Sequence, residues 1–191
     1  MNTTSLSNTP VRYRSPILHC TLCGHKVEVK VPPGDNRERH VCPDCGEIQY
    51  QNPKIVTGCI PTWEDRLLIC KRAIEPRRGL WTIPAGFMEN DESIAEGAAR
   101  ETWEEACAEV TNLELYQIFN VRRVNQIYML FRAELTAPDR FGVGEESLET
   151  LLVPEDEVPW ADMAFPVIVQ TLERFFAERA RGQFTMEIND L

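Results

Sequence analysis

The 191-residue sequence predicts an α/β (α+β) sandwich preceded by a small cysteine-rich unit. Three observations predict it. Short apolar runs rich in Val, Ile, Leu and Phe are mixed with two well-separated stretches of helical period, a combination that builds a sheet with helices packed on it. Four of the seven cysteines fall in two close pairs within residues 19–50, a stretch too short to own a core. Hydrophobic residues make up 43% and charged residues 26%, which supplies the core of one ordinary domain and rules out wholesale disorder.

Residues 1–18 read as a flexible leader. They are Ser/Thr-rich, carry Arg12 and Arg14, and lack the apolar run of a secretory signal. Residues 19–50 form the cysteine-rich unit, with PPGD at 32–35 as an internal turn. The main domain is read as 51–191. KIVTGCI and RLLICKR are short strands joined by a turn at 63–65. AIEPRRGL is a polar loop, and WTIPAG is a short strand running into a turn. A helix is expected over 94–108. LELYQIF and QIYMLFRAEL are strands around a hairpin at VRRVN. Residues 136–148 are a long loop whose Gly142 and Gly144 suit movement, and ETLLVP is a further strand. Apolar residues at 165, 168, 172, 175 and 176 mark a second helix, ended by Gly182.

No run approaches the roughly 18 apolar residues of a membrane span, so no membrane is expected as a partner. The formal net charge is −10, and residues 51–191 carry 14 basic against 25 acidic side chains. Such a body repels a nucleic-acid backbone, and no nucleic-acid partner is expected. A small phosphorylated substrate stays open, because a bound divalent cation inverts the local field.

An odd cysteine count without a secretion signal argues against a disulfide framework and for the cytoplasm. Cys59, Cys70 and Cys107 stand alone and read as buried thiols. The other four, Cys20-x-x-Cys23 and Cys42-x-x-Cys45, are separated by 18 residues. Each two-residue gap lets a tight turn aim two thiolates at one ion, and Gly24 and Gly46 suit those turns. Four thiolates close a tetrahedral shell of structural Zn²⁺, and zinc contributes roughly 10–16 kcal/mol to so small a fold. His19, His25 and His40 are neighbours that could substitute as ligands. With no open ligand position the ribbon has no catalytic part; it reads as a structural or dimerisation element, and a homodimer is expected.

The segment 86–108, GFMENDESIAEGAARETWEEACA, carries the chemistry. Ser93 and Glu96 form a capping box at a helix start. Glu101, Glu104 and Glu105 lie within about 6 Å of rise on one helix face, where like charges repel unless a divalent cation uses their oxygens. The alternative is a solvated acidic face.

Gly86, Glu92, Arg100, Glu101, Glu104 and Glu105 stand at the spacing of the Nudix box, so the chain resembles a Nudix hydrolase over residues 50–182. Cys107 stands where that pattern has glycine, and Thr102 where it has an aliphatic residue. The resemblance implies an α/β/α sandwich with a mixed sheet behind a zinc ribbon. It also implies Mg²⁺- or Mn²⁺-dependent cleavage of a nucleoside diphosphate linked to another moiety. Glu101, Glu104, Glu105 and the Ala85 carbonyl are the implied ligands, Arg100 orients Glu104 or Glu92, and Glu92 stabilises the loop–helix junction. The ribbon matches a subgroup that includes NADH pyrophosphatases and FAD or ADP-ribose pyrophosphatases. YQNPKIVTGC, LWTIPAGF and GEESLE are closer to the FAD/ADP-ribose branch, so the expected substrate is a small dinucleotide or nucleotide-sugar. An NADH pyrophosphatase and a non-catalytic nucleotide sensor are the alternatives.

The expected general base lies in the 141–149 loop, with Glu146 chosen over Glu145 and Glu149; the alternative is an acidic surface loop. Arg72 and Arg122 are candidate phosphate clamps among several arginines, with surface positions as the alternative. Trp81 and Tyr128 are candidates to stack on a ring, with core packing as the alternative.

Overall fold

The computed structural model describes residues 16–191, so residues 1–15 of the expected leader lie outside the described residues. The described residues divide into two compact units, with the boundary between Pro53 and Lys54.

In the first unit, β1 (Glu28–Lys30), β2 (Arg39–Val41) and β3 (Ile48–Gln49) form an antiparallel sheet in that order. These strands bury little: β1 is exposed along its length, with Val29 and Val31 open to solvent. Besides Pro32, the buried apolar residues among the described ones here are Val41, Cys20 and Cys42, so sulfur occupies much of the place of a core.

The second unit is built on a mixed sheet. Its strands are β4 (Lys54–Trp63), β5 (Arg66–Arg72), β6 (Trp81–Thr82), β7 (Ala85–Phe87), β8 (Val110–Val121), β9 (Gln126–Leu135), β10 (Ser147–Val153) and β11 (Glu187–Asp190). The order is β10-β5-β4-β9-β8-β11, with β6 added on β5 and β7 on β4. The β4–β9 and β8–β11 pairs are parallel and the others antiparallel. Two helices complete it, α1 (Ile94–Ala106) and α2 (Pro166–Arg181).

Strand alternation places the helices on opposite faces. Cys59 of β4 packs with Ala98 of α1, while the next residue, Ile60, joins Ile168, Leu172 and Phe176 of α2. This is the α/β/α sandwich the sequence predicts. The helix α2 starts with Pro166, whose missing N–H costs nothing there, and ends at Gly182 with φ +67°.

Three elements differ from expectation. The first helix stops at Ala106, two residues early, because Cys107 turns into the left-handed region. The strand expected at 113–119 runs from 110 to 121, its polar start carried by two register shifts in its pairing with β9. Residues 187–190 form an edge strand that local pattern did not announce; it pairs with β8 at residues 117–120, far away in the chain.

Candidate functional site

The helix α1 begins as a capping box. Ser93 Oγ accepts from Glu96 N–H at 3.2 Å, and the Glu96 carboxylate accepts from Ser93 N–H at 2.8 Å. One turn later the helix turns Glu101 and Glu105 inward, where they are 8% and 4% exposed. Glu105 accepts from the Ala85 N–H at 3.3 Å. Beside them, Gly86 leaves the room that the Glu101 carboxylate occupies, and a Cβ there would displace that carboxylate. The fixed glycine and the fixed glutamate of the sequence pattern thus answer one another in space.

Arg100 organises the other acids. Its Nε and Nη2 grip Glu92 in a bidentate pair, both at 2.9 Å. Its Nη1 donates to Glu101 and Glu104, each at 2.8 Å, and Nη2 also reaches the Phe87 carbonyl at 3.1 Å. Arg100 therefore holds both of the glutamates the sequence offered it, and Glu101 besides. Glu92 also accepts from the Glu89 N–H at 2.7 Å, tying the loop to the helix start. The three glutamates expected on one face do not all converge. The Glu104 side chain is 51% exposed and turned to Arg100.

The electrostatics follow from this split. The Arg100 guanidinium, with help from Glu89 N–H, draws Glu92 down to about 2. Burial pushes Glu101 up, against the pull of Arg100. Glu105 is pushed up to about 8, first by burial and next by the Glu101 charge; Ala85 N–H and Arg72 oppose the rise, and Glu146 adds to it. Two buried, mutually repelling carboxylates are a hard-oxygen donor set that a divalent cation fits.

The charge of Glu146 acts on both glutamates, and that of Arg72 on Glu105, from outside the helix. The loop carrying Glu146 is fastened to the end of α1: Gly142 N–H donates to the Ala106 carbonyl at 2.7 Å and Gly144 N–H to the Glu105 carbonyl at 3.1 Å. Of its two glycines, Gly144 approaches the helix backbone closely, whereas Gly142 has ordinary space around it. Arg72 is buried, donates from Nε to the Pro76 carbonyl at 2.9 Å, and lies 5.2 Å from the centre of the Phe165 ring.

The remaining expected binders make other contacts. Trp81 is 8% exposed and packs in the core cluster under α2, with Lys71 Nζ 5.3 Å from its ring centre. Tyr128 is half-buried against the same cluster. Arg122 has a 79% exposed side chain paired with Asp190 at 3.1 Å. Cys59 and Cys70 are buried as expected, whereas Cys107 is exposed. It lines a groove of about 350 Å³ with Trp103, Glu109, Thr136, Arg140 and Phe141. Trp103 and Cys107 sit roughly 200° around the helix from Glu101 and Glu105, so this groove is not the carboxylate site. Sequence reasoning missed the steric roles of Gly86 and Gly144, which only the fold reveals.

In the first unit, the Sγ atoms of Cys20, Cys23, Cys42 and Cys45 all lie within 4.8 Å of one another. Cys20–Cys45 is 3.7 Å and Cys23–Cys42 is 3.4 Å. Tetrahedral sulfurs at a Zn–S length of about 2.3 Å stand about 3.8 Å apart, so the cluster fits a structural zinc ion. Two equivalent turns build it, closed by Gly24 N–H to the Cys20 carbonyl at 2.9 Å and Gly46 N–H to the Cys42 carbonyl at 3.0 Å. His25 Nδ1 faces Asp44 at 3.3 Å, and the two form a second group with Cys23.

A family model described as NUDIX domain matches residues 52–175, and one described as Nudix N-terminal, a zinc ribbon, matches 19–51. A solved NUDIX hydrolase from Nitrosomonas europaea is 49% identical with a TM-score of 0.88, covering 92% of this chain and 99% of that one. An ADP-ribose pyrophosphatase from Streptococcus suis shares the fold at 18% identity and a TM-score of 0.54, over 73% of this chain and all of that one. The NAD-capped RNA hydrolase NudC of Chromobacterium violaceum is 35% identical over 93 residues, which are 48% of this chain and 34% of that protein. The phosphatase NudJ of Escherichia coli is 40% identical over 53 residues, 28% of this chain and 34% of NudJ. The chain spans about a third of the length of the curated relatives it matches.

Proposed function

This chain belongs to the Nudix family, as a hydrolase with an N-terminal zinc ribbon, and from that premise we propose that it hydrolyses the bridging diphosphate of an ADP-linked compound of the ADP-ribose or FAD type. The products are AMP and the phosphate of the linked moiety. The observation that carries this reading is the buried Glu101–Glu105 pair beside Ala85, a donor set whose repulsion calls for a divalent cation.

Glu101, Glu105 and the Ala85 carbonyl would hold Mg²⁺ or Mn²⁺, with Glu104 completing the set. When bound, the ion neutralises phosphate charge and acidifies water. Arg100 keeps Glu92, Glu101 and Glu104 in register. Glu146 takes the proton of the attacking water, whose oxygen joins a phosphorus as the bridging P–O bond breaks. Arg72 faces the diphosphate. Trp81 and Tyr128 support the fold around the site, and Arg122 serves the sheet edge. The four ribbon cysteines hold a structural zinc. A cytoplasmic location suits unpaired cysteines. The exposed apolar residues Leu148 and Leu151 on edge strand β10 and Ile188 on edge strand β11 suit a homodimer.

A second reading, a nicotinamide dinucleotide as substrate, is favoured by the similarity to NudC. Purified protein incubated with Mg²⁺ and FAD, ADP-ribose, NADH, NAD⁺ or dGTP separates the two. AMP released from FAD or ADP-ribose supports the first reading. Preferential NADH turnover overturns it, and inactivity on all five with intact Mg²⁺ binding replaces it with the sensor. Glu105→Gln is expected to lose at least ~10²-fold in kcat while staying folded; full turnover by that variant would remove Glu105 from the site.

A further inference from the structure

We infer that the 141–147 segment is a positioning strap, in which Gly144 lets the loop close on the last turn of α1 and so holds Glu146 against the end of the helix that carries Glu105. The inference rests on the proposed hydrolysis and on Glu146 as its base. It starts from an anomaly at the helix end. Helices end well on glycine, but here Cys107 holds that place, and the last turn has no basic residue to serve the carbonyls. The loop serves them instead, through the N–H groups of Gly142 and Gly144 on Ala106 and Glu105.

The two glycines are not equivalent. A Cβ at 144 would lie 1.8 Å from the Glu104 carbonyl oxygen and 2.8 Å from the Glu105 carbonyl carbon. Those atoms are helix backbone and cannot swing aside. At 142 the nearest atom, Cys107 Cβ, would be 3.7 Å away, an ordinary contact. Past the contact the chain turns at once: Ser147 N–H donates to the Gly144 carbonyl at 3.1 Å, leaving Glu145 and Glu146 at the corner. Ala73 N–H then fixes the Glu146 carbonyl at 2.8 Å, and β10 starts at Ser147. The residue proposed as base is therefore anchored to the residue proposed to hold the metal, with one glycine as the point of contact.

The test compares Gly144→Ala, Gly142→Ala, Glu146→Gln and the Gly144→Ala/Glu146→Gln double variant in the full chain. Two quantities are read: kcat and KM on FAD and on ADP-ribose with Mg²⁺, and amide hydrogen exchange of 142–147 without metal. Gly144→Ala is expected to lower kcat about 10²-fold, the cost of displacing a catalytic group by an ångström, with KM little changed and exchange of the segment faster. Gly142→Ala should track the parent in both. In the Glu146→Gln background, Gly144→Ala should cost almost nothing further, since both changes remove one function. Parent-like kcat or exchange in Gly144→Ala, or losses that multiply in the double variant, would overturn the strap. If the parent turns over none of the substrates, the proposed function fails, and exchange alone decides whether Gly144 holds the segment. Should Gly144→Ala not fold, exchange in the parent decides. Amides 142 and 144 as protected as the end of α1 support the strap, and free exchange there refutes it.

Discussion

Cys107 sits at φ +48° and ψ 31°, where an L-residue pays for its Cβ, and it does so to end α1 with its N–H on the Trp103 carbonyl at 2.8 Å. Cys107→Gly keeps that bond and removes the steric cost. It is expected to stabilise the protein by about 1 kcal/mol, seen as a rise in Tm of about 2–4 °C; an unchanged or lower Tm contradicts the strain. Glu105 sets a pH dependence of the metal-free protein. Its folded pKa of about 8 lies above the ordinary 4.5, so the fold favours the protonated acid. That contribution is complete below about pH 4.5 and declines as the pH rises through 8. Denaturant titrations should show the parent losing ~2–4 kcal/mol relative to Glu105→Gln between pH 5 and 8, with added Mg²⁺ restoring part of it at pH 8. Parallel pH curves for the two proteins would count against a buried, strained carboxyl at 105.

At the scale of elements, the ribbon and the box helix are held by opposite means. The strands of the ribbon are two or three residues long and β1 buries nothing, so its order depends on the four cysteines. Stripping zinc with a strong chelator under reducing conditions should bring amide exchange across 19–50 to the unfolded rate, while β4 and β9 stay protected. Retained protection in the ribbon would show that hydrophobic and hydrogen-bonded contacts suffice. The helix α1 needs no ion to form. A capping box starts it, Thr102 buries its hydroxyl on the Ala98 carbonyl at 2.8 Å, and Ala98 and Ala106 seat it on the sheet. That bond explains how a hydroxyl occupies a position where the family pattern has an aliphatic side chain.

Across the whole molecule, the box was legible from the amino-acid order because its partners are close in the chain. Ser93 with Glu96 follows from the capping spacing at a helix start, Arg100 with Glu92 is one of the two pairings the family resemblance implies, and the paired cysteines follow from the two tight turns. Long-range contacts were not legible. Tyr116 of β8 donates to buried Glu178 of α2 at 2.9 Å, Glu178 also takes Arg174, and Arg174 pairs with Glu187 of β11. That chain of contacts joins residues up to 71 positions apart and explains an edge strand that local pattern left unmarked. The same holds for Trp81, an aromatic that composition alone cannot assign to ligand or core, and which the sheet buries. Residue order by itself determined the family, the zinc ribbon and the acids of α1, since each depends on spacing along one turn or one helix. Only the tertiary structure decided that Glu104 turns out to Arg100 while Glu101 and Glu105 turn in, and that Gly144 meets the backbone of the last turn of α1. Those outcomes depend on which backbones approach within van der Waals distance, and that is set by packing between segments distant in the chain.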